Sequence, residues 1–422
     1  MALKPLLFIF IFIGTFIGAI FITPFIGLCG YIMSYNLNPI GFWWGKQLPE
    51  IFQRYSLLFF LACLGGMIVH WSKLRYRHLL EGQEILLILF ILIIWISTLT
   101  GVPSHGLGEN SLKMTKVCII LLVASHLVTN LKYYNIMVWI YILSGLYSGF
   151  EIFNSDSLSF IGGRLQSGVG GSDFSEGNFL AAHYLIVLPW IGIYFLKGKL
   201  RHKCFCLFAA VFIVNSLILI ESRGAFLAIL AGGITALIVT GKKYRNKIVF
   251  LLLLGLAGFI YLSDTTFWTR MNTIDTNEST MGRSAGGRIE AWKVAIEMFN
   301  DYPYGVGEGN FKILAGLYNP DAEGRDTHNT FFRCLAELGL QGLVVLLFMI
   351  YMAFKYLKMI QNSININTQL GQEYSLHILA LRISLVMYIV TTCFLSHTYV
   401  EEFYWVLMFP LFLKRCYENE FE

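Results

Sequence analysis

Charge is scarce in this sequence. Asp, Glu, Lys and Arg make up 14% of its 422 residues, whereas a soluble domain carries about 25%. That shortage excludes an ordinary soluble enzyme. The net charge of +5 sits in short basic clusters between apolar runs, so no nucleic-acid-binding surface and no nucleic-acid partner is expected. Metal-ligand spacing is also missing. Most of the eight cysteines lie inside apolar runs, and Cys204-Phe-Cys206 has neither zinc-knuckle spacing nor a second pair. No internal repeat of fixed period and no low-complexity linker occurs.

Apolar runs of about 20 residues recur from end to end and read as membrane-spanning helices. They fall near 5–35, 54–70, 84–103, 112–129, 134–153, 178–196, 203–221, 223–240, 247–264, 329–354, 376–397 and 400–415. The expected architecture is an all-α polytopic membrane protein with about twelve transmembrane helices. The N-terminal run resembles a signal peptide, but it continues to Tyr35 without a clear small-residue cleavage site. A retained first helix, broken at most at Pro24, is therefore expected.

The basic clusters set the sidedness. KLRYRH (73–78), Lys132, KGKLRHK (197–203), KKYRNK (242–247), Lys355 with Lys358, and Lys414-Arg415 all fall on one side if the N-terminus, with Lys4, is cytoplasmic. Both termini are then cytoplasmic. Four stretches lie on the other side, and the longest, Asp264 to Asp326, is the one that suffices for a small extramembrane domain. The chain thus divides into helices one to nine (1–264), a helical outer loop domain (265–327) and helices ten to twelve (328–422).

Within that loop, Ile289, Trp292, Ile296 and Phe299 fall on one helical face, with Gly286-Gly287 at the entry and Asp301-Tyr-Pro303 at the exit. Arg288 sits near the first turn. YGVGEGN reads as a Gly-rich turn whose backbone lets a ligand approach closely. Asp326 or Thr327 is the expected cap of the re-entering helix, with His328 in its first turn. Arg164 occupies a Gly-rich outer loop, and Arg223 lies between two apolar runs at their shared outer end.

Topology therefore brings Arg164, Arg223, Arg288 and His328 to one membrane face. Guanidinium groups converging there suit a phosphate or diphosphate. Read singly, each arginine has a plainer explanation: snorkelling, or a local pair such as Arg223 with Glu221. His328 has the ordinary pKa of a general base, and nearby cations favour its neutral form. His183 and His397, in or near spans, are weaker candidates. Glu337 pairs with Arg333 four residues away, or orients His328 or one of the arginines. Tyr399, Glu401 and Glu402, at the outer end of the last hairpin, are further candidates for that face. No DxD occurs in an outer loop; the nearest relative, Asp321-Ala-Glu323, reads as a turn in a solvated loop, so no metal and no cofactor is expected.

SRGAFLA (222–228), GRIEAW (287–292), DYPYGVGEGNF (301–311) and HNTFFRCLAELGLQGL (328–343) together resemble the bacterial O-antigen ligase and polymerase superfamily, in order and in placement around a large outer loop. TRMNTI (269–274), the following MGRSAGGRIEAWKVA and YNLNPIGFWWG (35–45) look like the O-glycosylation ligases that accompany exosortase systems, a branch of the same superfamily. The resemblance implies a type-C membrane glycosyltransferase fold in the bacterial inner membrane, acting at the periplasmic face. The implied donor is a glycan on undecaprenyl diphosphate, transferred with inversion and without a metal. The implied acceptor is a hydroxyl of lipid A-core, of another glycan or of a protein.

Carried onto this chain, Arg223 and Arg288 hold the diphosphate and His328 helps the acceptor attack. Arg164, Glu337, Asn329 and Tyr399 are expected around the substrates. A polymerase, whose acceptor is itself a lipid-linked repeat unit, shares donor, fold and loop. A transporter of a lipid-linked anion would use the arginines for binding alone, but would show midplane polar residues, broken helices and repeats.

Overall fold

A computed structural model describes residues 3–421, apart from 43, 72–79, 104–107, 156–159, 162–163, 167–168, 170–171, 175, 264 and 273–282. The KLRYRH cluster, the last two residues of TRMNTI and the first two of MGRSAGG lie outside the described residues. The helices are α1 (Leu3–Phe21), α2 (Pro24–Leu37), α3 (Glu50–Gln53), α4 (Tyr55–Val69), α5 (Gly82–Thr100), α6 (Glu109–Leu127), α7 (Leu131–Phe153), α8 (Gly177–Lys197), α9 (Leu200–Ile220), α10 (Arg223–Val239), α11 (Lys242–Leu262), α12 (Thr265–Asn272), α13 (Arg283–Asp301), α14 (Phe311–Tyr318), α15 (Thr330–Ser363), α16 (Gln369–Thr392) and α17 (Glu401–Phe421). A small antiparallel hairpin pairs β1 (Phe160–Ile161) with β2 (Arg164–Leu165).

Among the described residues, nine helices are long and apolar enough to cross a membrane, and α4 and α10 are shorter apolar helices. The molecule is an all-α, multi-pass membrane protein. One end of the bundle carries α12–α14 and the turn between α9 and α10, here the loop end. The other carries Lys132, Lys197, Lys199, Lys203, Lys242 and Lys247, here the basic end.

The first expected span is two helices. Proline at the first position of α2 ends α1 at Phe21 and reverses the chain. Gly18 then faces Ile26, and Gly30 faces Thr15, as in an antiparallel pair. This overturns the expectation that both termini share a side. Lys4 Nζ pairs with Glu151 Oε1 at 2.8 Å, near the end of α7. Glu420 Oε1 accepts from Leu131 N at 2.8 Å, at the start of the same helix. The two termini therefore lie at opposite ends of the bundle, and Lys4 does not belong with the basic clusters.

Helix α17 is the central post. Its residues from 401 to 416 are all buried. The Lys414-Arg415 pair is internal. Lys414 Nζ reaches Glu81 Oε2 at 3.0 Å, Arg415 Nη2 reaches Glu84 Oε2 at 2.6 Å, and Arg415 Nη1 donates to Ser125 O at 2.8 Å. Buried charges need such partners. The pair braces α17 against α5 and α6.

The loop domain has its own small core, made of Ala291, Val294, Ala295 and Met298 of α13 with Val306, Phe311, Ala315, Ala322 and Ala336. The expected stripe of Ile289, Trp292, Ile296 and Phe299 is its flank; Ile296 is 43% exposed. Close helix contact selects alanine for the buried line and leaves bulkier side chains at the edges. Trp292 stacks on Phe332 of α15 with centroids 5.3 Å apart.

Helix α15 breaks at Gly339, whose φ is +70°. The broken turn leaves carbonyls without intrahelical donors, and the YGVG segment supplies them. Val306 N donates to Ala336 O at 2.9 Å and Gly307 N to Glu337 O at 3.1 Å. Gly305 has φ +95°, and a Cβ there would lie 2.4 Å from Glu337 O. The Gly-rich turn thus makes a close backbone approach to α15. Further on, Glu308 accepts from Gly108 N at 2.7 Å and Ser111 Oγ at 2.9 Å, and Asn310 Nδ2 donates to Val102 O at 2.7 Å. These contacts bolt the loop onto α5 and α6. Burial pushes the Glu308 carboxyl above its ordinary value.

Candidate active site at the loop end

His328 lies just before α15, with a left-handed φ of +46°. A non-glycine residue held there carries strain of order 1–3 kcal/mol, so its surroundings must fix it. They do so from both sides. The Thr327 carbonyl accepts from Trp292 Nε1 at 2.9 Å, and Thr327 Oγ1 donates to Asn329 O at 2.9 Å. Asn329 is the helix cap, in place of the expected Asp326 or Thr327. Its Oδ1 accepts from Phe331 N at 2.9 Å and Phe332 N at 3.2 Å, and its Nδ2 donates to Cys393 O at 3.0 Å. Asn329 thus caps α15 and ties it to the segment after α16. His328 is held outside the helix.

Asp326, two residues earlier, gathers the polar groups. Its Oδ2 accepts from Lys312 Nζ at 3.1 Å and from Arg333 Nη1 at 3.3 Å, and its Oδ1 from Ser396 Oγ at 2.5 Å. Burial alone would raise the carboxyl; Arg333, the Ser396 hydroxyl and Lys312 outweigh it and hold the group down at about 2. It is a standing anion at neutral pH.

The imidazole of His328 titrates below its ordinary value of 6.5. Partial burial is the largest cause. Arg288 and Lys312 also disfavour the cation, while Asp326 and Glu176 oppose them. His328 is therefore neutral at pH 7, beside a guanidinium on α13 and a carboxylate at the start of α8.

The remaining candidates assemble around helix ends. The Arg164 side chain donates to Ile220 O at 2.8 Å and to Asn178 Oδ1 at 3.0 Å, tying β2 to the end of α9 and the start of α8. Glu221 then turns the chain with φ +49°, and Ser222 caps α10, so Arg223 is its first helical residue. Gly224 packs on Phe394, next to the Cys393 that anchors Asn329. Arg223 and the start of α15 therefore share the segment after α16. Arg325 lies over Gly287, the neighbour of Arg288; a Cβ there would meet its Nη1 at 2.6 Å.

Two expected substrate contacts are engaged inside the protein. Glu337 is fully buried, accepting from Arg333 Nε at 3.3 Å and from Phe311 N at 3.3 Å. It locks the joint between α14 and α15. Tyr399 is buried, its ring 5.1 Å from the Arg333 guanidinium. His183 pairs with Glu402 in the interior, and His397 is buried between Phe179 and Tyr388. Glu401 is engaged by Tyr31 and Trp405.

Asp326, Lys312 and Glu176 as charges acting on His328, and Arg325 over Gly287, were not legible in the sequence alone. The polar run RDTHN holds two of them. The others come from distant segments.

The arrangement combines a strained but fixed neutral imidazole with cations from several elements. Such a site can accept a proton from a hydroxyl while holding a polyanion. The family model of O-antigen ligase matches residues 208–347, a span that contains Arg223, Arg288, His328 and Glu337. A comparison with curated proteins finds no match. Over this segment, which runs from α9 to the broken helix α15, the chain is similar to the O-antigen ligase family.

Proposed function

We propose that the protein is a membrane glycosyltransferase that moves a glycan from undecaprenyl diphosphate to an acceptor hydroxyl, with its loop end facing the periplasm. The observation that carries this reading is the match of residues 208–347, with Arg223, Arg288 and His328 among them, to the O-antigen ligase family, together with the fixed left-handed turn that holds His328 outside α15. Arg223 and Arg288 bind the diphosphate, and Arg325 adds positive charge beside them. Arg164 supports the turn that presents Arg223. The acceptor oxygen bonds to the anomeric carbon on the face opposite the leaving diphosphate, and His328 takes the acceptor proton. Guanidinium groups neutralise the charge that builds on the leaving group, so this reading needs no metal.

A ligase acting on lipid A-core or another hydroxyl is the first reading. A polymerase extending its own lipid-linked donor uses the same groups and differs in acceptor. The roles separate experimentally. Arg288→Ala should weaken retention of an undecaprenyl-diphosphate glycan. His328→Ala should leave retention intact and abolish transfer. If donor retention survives Arg288→Ala and Arg223→Ala alike, the diphosphate assignment is wrong.

A further inference from the structure

Asp326 has a place in the site that a cap would not need. It does not cap α15; Asn329 does. Instead its carboxylate is held by groups from three elements: Lys312 of α14, Arg333 of α15 and Ser396 before α17. Arg333 is fixed in turn by Glu337 at 3.3 Å and by the Tyr399 ring. The result is a rigid buried chain, Glu337–Arg333–Asp326, ending two residues from a histidine whose backbone is strained and pinned.

We infer that Asp326 is a positioning residue for His328: it is the fixed counter-charge that stabilises the imidazolium formed when His328 takes the acceptor proton. This rests on the reading of His328 as the base. In the transfer step the acceptor oxygen forms its bond to the anomeric carbon. The carbon–oxygen bond to the diphosphate breaks, and its electron pair leaves with the lipid diphosphate. The acceptor proton moves to His328, which becomes cationic amid Arg288 and Lys312. Without a fixed anion that product is repelled from two sides. Asp326 opposes the repulsion, and its own partners keep it ionised. Glu176, at the entry to α8, is the second anion acting on the imidazole.

The test is the pH profile of kcat at saturating donor for wild type, Asp326→Asn, Lys312→Gln and His328→Gln. The acid limb reports protonation of the base. Removing the anion lowers the imidazole pKa, so Asp326→Asn should move the limb down by about one pH unit and lower the plateau. Removing the cation does the opposite, so Lys312→Gln should move the limb up. Lys312 is about half exposed, so this variant does not threaten the fold and decides the matter if Asp326→Asn does not fold. A lowered plateau with an unmoved limb in Asp326→Asn would make Asp326 purely structural and overturn the inference. So would an unmoved limb in Lys312→Gln. His328→Gln separates the underlying reading: if it keeps activity and the same limb, His328 is not the base.

Discussion

Trp292 donates its indole N–H to the carbonyl of Thr327, immediately before His328. One bond thus links the amphipathic helix of the loop to the left-handed backbone of the candidate base. Trp292→Phe keeps an aromatic ring against Phe332 and removes the donor together with part of the ring surface. A buried hydrogen bond contributes about 1 kcal/mol, so the melting temperature should change little. Loosening a positioned base should lower kcat roughly tenfold with donor KM unchanged. Steady-state kinetics check this, and an unaltered kcat would show that the bond does not hold the site.

The joint at the break in α15 should be intolerant. Arg333 and Glu337 are both largely buried. Removing one partner of a buried pair costs about 3–5 kcal/mol, so Glu337→Gln should lower thermal stability strongly. Gly305→Ala meets both a positive φ and the Glu337 carbonyl, and should expose residues 302–310 to protease. If Glu337→Gln instead melts like wild type and loses only activity, Glu337 contacts substrate after all.

Gly287 offers a selective probe of Arg325. A methyl there meets the far end of a flexible side chain, so Gly287→Ala should fold normally while displacing the Arg325 guanidinium from the first turns of α13. Donor KM should rise several-fold, as in Arg325→Ala, and the double variant should be no worse than either single one. Additive losses would separate the two positions.

Topology provides a check independent of activity. Reporters fused to the two termini should fall on opposite sides of the membrane, because Lys4 and Glu420 lie at opposite ends of α7. Reporters on one side would contradict the α1–α2 hairpin.

The helical membrane class was legible because it follows from apolar length, and the placement of Arg164, Arg223, Arg288 and His328 at the loop end because it follows from helix order. The reversal at Pro24 was not, since an apolar run reads alike whether it crosses once or turns back. Lys414 and Arg415 looked like sidedness signals because nothing local shows that Glu81 and Glu84 meet them. YGVGEGN looked like a ligand cradle, since a glycine reports close backbone approach without naming the partner. Asn329 and Glu337 lay near the base in sequence and Tyr399 at the outer end of the last hairpin, but their polar or aromatic groups are engaged within the protein. Asp326 was visible only as a candidate cap; its facing cations come from α14 and α15.

The most direct measurement is reconstitution of the purified protein with an undecaprenyl-diphosphate glycan and a lipid A-core acceptor in the presence of EDTA, beside Arg288→Ala and His328→Ala. The account predicts a glycan-capped acceptor from the wild type and none from either variant. Transport of the donor across the vesicle bilayer without product on any hydroxyl acceptor, or transfer that stops on chelation, would contradict it.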